Sequence, residues 1–223
     1  MERHSLGRTV LLTALAMLLG LSVFGQTLAA PPSKASGGAT CPVAGGAQVV
    51  LDPGHGGSDT GAYNETYELW EEHLTLDIAK RTQATLEAVG YSVALTRYGD
   101  TDLGNSARGE IANACKADVF VMIHLNGSTD PLVNYTQTFW GKKQKDLKFS
   151  QHMSGAMSGL GIQNNGAGQF ANGALLHATM PSTLVEAVFL TNDGEAARLA
   201  EGSRQGEIAA VITQGVQAWV DPR

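Results

Sequence analysis

Residues 119–123 form an unbroken apolar run, Val-Phe-Val-Met-Ile, that ends in His124. A half-buried strand alternates apolar and polar residues. A run without alternation therefore predicts a strand covered on both faces, as in a parallel sheet with helices above and below. Residues 183–190 have the same character except for one carboxylate, Glu186. Between such runs the periodicity turns helical. Residues 48–51 predict a strand; Leu74, Ile78, Leu86 and Val89 form one face of a helix that ends before Gly90. A strand follows at 92–96, a helix at 106–115, another strand at 135–140 and a helix at 146–160. In the last segment Ile208, Val211, Ile212, Gly215 and Trp219 share a helical face, with Ser203 as the expected N-cap. This alternation predicts an α/β fold: a mostly parallel central sheet with helices on both faces and functional residues at the carboxyl ends of the strands.

With 223 residues, 43% of them hydrophobic and 16% charged, the chain can bury one core. Its start is different in kind. Arg3 and Arg8 precede a largely apolar run at 10–24, and small residues at Thr27 and Ala29 suit cleavage after Ala29, so residues 1–29 are expected to be a signal peptide. The run is shorter than the roughly 20 residues a membrane-spanning helix needs, so no stable membrane insertion is expected after cleavage. Residues 30–44, rich in Ala, Pro, Ser and Gly, are expected to be a flexible leader, and 45–221 the domain, folded from near Cys41 onward. Export to the periplasm or outside the cell permits a disulfide, and Cys41 with Cys115 is the only intrachain pair. The net charge of −6, with no Lys/Arg cluster, argues against a nucleic-acid partner. A monomer is the default expectation.

The rule that places function at strand ends draws attention to two histidines. His55 follows the first strand inside Asp52-Pro53-Gly54-His55-Gly56-Gly57, where three glycines open backbone angles closed to other residues. His124 ends the third strand. A catalytic zinc site needs a third protein ligand and one open position for water, and Glu65, Glu68, Glu71 and Glu72 all lie within reach in sequence. Spacing does not choose among them. Such a site lowers the pKa of water to about 7 and works with a nearby general base. Glu186, in an otherwise apolar strand where an unpaired carboxylate is costly, is the candidate.

Taken in order, the motifs Leu51-Asp52-Pro53-Gly54-His55-Gly56-Gly57, Asp59, Gly61-Ala62, Glu71 five residues before Leu76, Thr96-Arg97, Arg108, Ala112-Asn113, Ile123-His124-Leu125-Asn126, Met180-Pro181, Leu184-Val185-Glu186, Phe189-Leu190 and Asn192 resemble those of zinc-dependent N-acetylmuramoyl-L-alanine amidases of the amidase-3 type. The resemblance spans roughly residues 48–219. It implies one zinc ion per chain held by His55, Glu71 and His124, with Glu186 as catalytic acid/base. The implied substrate is peptidoglycan or its muropeptide fragments, cut at the amide between the glycan lactyl group and L-alanine. It also selects Glu71 from the four carboxylates. Two positions depart from the family pattern: Met122 stands where a small polar residue is common, and His177 where an arginine is common. Asn126 and His177 are the expected substrate contacts; for His177 an ordinary strand role and, less favoured because catalytic zinc usually has three protein ligands, a fourth-ligand role stay open. Trp70 and Trp140 are read either as cleft lining or as packing, and His73 and His152 as helix surface. Segments 130–134 and 163–173 are expected to be loops at the entrance, and no wall-binding repeat is expected beside the catalytic domain.

Overall fold

The computed structural model describes residues 38–221. The expected signal peptide at 1–29, and the leader up to residue 37, lie outside the described residues. The elements run β1 (Val49–Pro53), β2 (Tyr63–Asn64), β3 (Leu69–Trp70), α1 (Glu71–Ala88), β4 (Val93–Leu95), α2 (Asn105–Cys115), β5 (Val119–Asn126), β6 (Thr136–Trp140), α3 (Lys143–Met157), β7 (Asn164–Gln169), α4 (Gly173–His177), β8 (Ser182–Phe189), α5 (Asp193–Ala200) and α6 (Ser203–Val220). Six strands form one sheet in the order β4-β1-β5-β8-β6-β7, parallel throughout except where β6 meets β8 antiparallel. β2 and β3 form a separate small hairpin.

The pleat of β5 shows why its sequence lacks alternation. Val119, Val121, Ile123 and Leu125 face a core shared with α1, α3 and α6, while Phe120 and Met122 face a second cluster under α2 and α4. Both faces are covered, as the uninterrupted apolar run requires. His124 has the parity of Phe120 and Met122, and Glu186 that of Leu184, so both project on the α2/α4 side. At the carboxyl end of the sheet that side opens into a cleft, walled by residues 103–105 before and at the start of α2, and by Phe170 and Asn172 before α4.

Cys41 and Cys115 form the expected disulfide. Cys41 and Val43, within the segment expected to be a leader, pack against the α2-side cluster. Among the described residues no helix is long and apolar enough to cross a membrane.

Three local expectations change. Residues 163–173 are not a loop: β7 occupies 164–169 on the sheet edge, and its sequence, Asn-Asn-Gly-Ala-Gly-Gln, carries no apolar period because an edge strand buries little. Ser203 is the first residue of α6 and not its N-cap. Gly202, with φ of +80°, takes the cap position, and the Ser203 hydroxyl donates to the Arg198 carbonyl at 3.2 Å. His152 is half-buried, its Nε2 3.0 Å from the Gly215 carbonyl and its ring against Trp219.

Candidate metal centre

The chain leaves β1 into a turn whose shape is enforced from below. Arg97 and Arg108, both buried, hold three successive carbonyls there. Arg97 donates to Pro53 (3.0 Å) and Gly54 (2.8 Å), and Arg108 donates to Pro53 and His55 (both 2.8 Å). Arg108 also pairs with the buried Asp52 at 2.9 Å. Held this way, His55 adopts a left-handed φ of +62°, uncommon for a residue with a side chain. Gly54 is required for a different reason: a Cβ there would lie 2.3 Å from the His124 ring, so the absence of a side chain lets the imidazole lie flat against the backbone.

The β2–β3 hairpin turns the chain back so that α1 begins beside the same strand ends. Glu71, the first residue of α1, donates its N–H to the Ala62 carbonyl at 2.9 Å. Its buried carboxylate accepts from the N–H groups of Ala62 (2.8 Å) and Leu125 (2.9 Å). Gly61, at φ of +68°, passes so close that a Cβ would come within 2.6 Å of Glu71 Oε2.

Three donor atoms converge: His55 Nε2 lies 2.9 Å from Glu71 Oε1 and 3.1 Å from His124 Nδ1, and His124 Nδ1 lies 3.2 Å from Glu71 Oε1. Among the described residues these three form a group able to hold a metal ion. The chemistry fits. Two imidazoles and one carboxylate suit a small divalent ion, and tetrahedral ligands at about 2.0–2.1 Å from such an ion are separated from one another by about 3.4 Å. The groups of this cluster also pair with one another electrostatically. Burial disfavours the charged form of His55, yet hydrogen bonds and charge from Glu71 and Asp59 outweigh it and raise its pKa to about 9. Burial likewise opposes ionisation of Glu71, but the hydrogen bonds of His124 and His55 bring its carboxyl down to about 2.

Glu186 faces the same cleft from β8, in register with His124. Burial pushes its pKa up to about 7, and its Oε2 has no hydrogen-bond partner. Most buried carboxylates are paired, so an orphan on the strand beside a metal-capable group is the pattern of a proton-transfer residue. Asn126 also lines the cleft, which has a volume of about 530 Å³.

The remaining candidates are placed elsewhere. Glu65 and Glu68 are exposed on the hairpin, and Glu72 is buried away from the cleft lining. His177 does not reach the cleft: it is exposed at the end of α4, its Nδ1 2.9 Å from the Gly173 carbonyl, while its own carbonyl accepts from Asn113. Trp70 stacks on Tyr63 at 4.0 Å on the hairpin, and neither Trp70 nor Trp140 lines the cleft. Met122 is buried under the α2/α4 layer. Phe170 and Asp59 are among the cleft residues that sequence reasoning did not assign to the site. Phe170, half exposed, lies in the segment read as a loop, where no periodicity marks it. Asp59 belongs to a recognised motif, yet nothing in the sequence says that its carboxylate accepts from His55 Nδ1 at 2.9 Å.

Comparison with known proteins gives a consistent result. Residues 49–218 match the Amidase_3 family, described as N-acetylmuramoyl-L-alanine amidase. The amidase AmiC of Neisseria meningitidis is 31% identical over 78% of this chain; the chain spans 52%, about half, of that relative's length. Among solved structures, the catalytic domain of CwlV, an N-acetylmuramoyl-L-alanine amidase of Bacillus (Paenibacillus) polymyxa, superposes with a TM-score of 0.74 at 30% identity, covering 78% of this chain and 98% of that one. AmiC2 of Nostoc punctiforme gives a TM-score of 0.72 at 32% identity, covering 77% and 96%. A family match over most of the folded residues, with the motif histidines and glutamates gathered at one strand edge, establishes that this chain belongs to the Amidase_3 family of N-acetylmuramoyl-L-alanine amidases.

Proposed function

We propose that the chain is an exported, zinc-dependent hydrolase that cuts the amide between N-acetylmuramic acid and L-alanine in peptidoglycan or its muropeptide fragments. The observation that carries this reading is the pairing of two features in one cleft: three donors converging within 4.8 Å of one another, and the unpartnered carboxylate of Glu186 on the neighbouring strand. His55, Glu71 and His124 would hold one zinc ion. When bound, zinc supplies Lewis acidity, drawing electron density from the amide carbonyl and making water acidic enough to lose a proton near neutral pH.

The protein's own groups do the rest. The Glu186 carboxylate takes the proton of the attacking water and delivers one to the departing nitrogen, a double duty suited to a carboxyl whose burial brings its pKa to about 7. The apolar β8 around it keeps bulk water from competing for that proton. Asn126, whose Oδ1 is occupied by the Gly127 N–H at 2.9 Å, offers its amide N–H groups to the substrate at the rim. The apolar stretch before residue 30 supports delivery to the periplasm or cell exterior, where this substrate is found.

Mass spectrometry of the products formed from purified muropeptides and intact wall, with and without a zinc chelator, tests the reading. Free stem peptide with an L-alanine amino terminus, lost on chelation and restored by zinc, is the expected result. Cleavage inside the stem, or no zinc-dependent product, overturns it.

A further inference from the structure

Asp59 is a surface carboxylate, 65% exposed, on a chain that gains little stability from surface ion pairs. Its placement is nevertheless tightly specified. Residues 56–59 close a turn in which Gly56 N–H donates to the Asp59 carbonyl at 2.7 Å and Asp59 N–H donates back at 3.3 Å. Gly56 and Gly57 both take positive φ, +120° and +68°, to make that closure possible. The turn aims one carboxylate oxygen, Oδ1, at two donors: His55 Nδ1 at 2.9 Å and the Gly61 N–H at 3.2 Å. A carboxylate oxygen only accepts, so the proton of the neutral ring must sit on Nδ1. That leaves the lone pair on Nε2, the atom that faces Glu71 Oε1 at 2.9 Å and His124 Nδ1 at 3.1 Å.

The second histidine is held by other means. His124 lies against Gly54 in a space that a single methyl group would fill, so close packing on the backbone restricts its ring plane in addition to its contact with Glu71. His55, half-buried and carried by an irregular turn, has Gly61 close to its Cδ2 edge, and the hydrogen bond at its Nδ1 fixes which way the ring faces. The same oxygen, through Gly61, also ties down the backbone that passes Glu71 Oε2.

We infer that Asp59 is a positioning residue of the metal centre: by accepting the Nδ1–H of His55 it fixes the tautomer and ring orientation that present Nε2 to the ion, and through Gly61 it steadies the approach to Glu71. The inference rests on the proposed metal-dependent reading. Outer carboxylates of this kind typically change metal affinity by about 10- to 100-fold.

The test is zinc affinity of the full chain, measured by competition with a chromophoric chelator, for Asp59→Ala and Asp59→Asn beside the unsubstituted protein. Thermal unfolding of each metal-free form and ¹⁵N NMR of the His55 ring in each zinc-loaded form complete it. Asp59→Ala is expected to lose about 10- to 100-fold in affinity with only a small fall in metal-free Tm, that of one exposed pair, and to lose the protected Nδ1–H resonance. Asp59→Asn, which keeps an accepting oxygen, is expected to recover affinity to within about threefold. Unchanged affinity in Asp59→Ala overturns the inference, as does a loss that merely follows a large fall in Tm, or an Asn variant no better than Ala. An unsubstituted protein that takes up no zinc overturns the metal reading itself and the inference with it.

Discussion

Glu186 and His124 face each other across the β5–β8 ladder, on the same side of two parallel strands. Neighbouring strands lie about 4.8 Å apart, so the sheet itself delivers a half-buried acid to the edge of the metal-capable group, with no loop intervening.

Glu186→Gln removes the titrating group while keeping its shape. Hydrolysis of muropeptides should fall by at least about 10²- to 10⁴-fold, the range typical of a lost general acid/base. Zinc content, read by mass spectrometry of the metal, should be unchanged because Glu186 is not one of the three converging donors. The metal-free proteins offer a second readout. The folded state binds the Glu186 proton more tightly than the unfolded chain does, so this carboxyl lowers stability as pH rises from 4.5 through about 7. The Gln variant should therefore be more stable than the unsubstituted protein at pH 8, by at most a few kcal/mol, and equal to it at pH 4.

Zinc uptake should release a proton. In the metal-free protein His55 stays protonated up to about pH 9, and an ion can bind its Nε2 only by displacing that proton. Apparent affinity should climb about tenfold per pH unit between pH 7 and 9 and then level off. Calorimetry in buffers of different ionisation enthalpy counts the proton directly. Because the folded pKa lies above the ordinary 6.5, the His55 contribution to metal-free stability is complete below pH 6.5 and disappears as pH rises through about 9.

Gly54→Ala should abolish metal binding without unfolding the domain. The added methyl would sit 2.3 Å from His124 Cε1, and a ring is displaced more easily than a backbone held by Arg97 and Arg108. The expected pattern is native circular dichroism with zinc affinity and activity both lost. Wild-type affinity would show that the turn moves instead.

The disulfide closes a sequence separation of 74 residues and pins the segment before β1 to the end of α2. In the chain-entropy model such a loop is worth about 4 kcal/mol. The Cys41→Ser, Cys115→Ser double variant should melt on the order of 10 °C lower than the oxidised protein. Its site is remote from the cleft, so kcat on muropeptides below the melting range should be unaffected.

The parts of this molecule that announce themselves in sequence are those under strong physical constraint. The run at 119–123, short and rich in branched residues, reads as a strand buried on both faces, and the glycines around His55 mark a turn that needs unusual backbone angles. Glu71 was a different matter. Its placement depends on the β2–β3 hairpin, whose strands are two residues each and too short to carry a period. Only the family motif separated it from Glu65, Glu68 and Glu72. β7 was invisible because an edge strand of Asn, Gly, Ala and Gln has neither apolar alternation nor branched residues. His177 illustrates the converse: a histidine near a motif in sequence, turned away from the cleft because α4 uses its side chain at its own C-terminal turn.

β8 is bonded on both sides, to β5 through a parallel ladder and to β6 through an antiparallel one, and Glu186 stands opposite His124 on one side and Gln137 on the other. A strand so embedded moves only when the sheet opens, so its amides should exchange with solvent on the slowest timescale in the domain. In the proposed reaction Glu186 is thus the stationary partner. Whatever adjustment brings the scissile nitrogen to its carboxylate falls to the substrate and to the cleft rims around Gly127 and Phe170, where the chain lies outside the sheet.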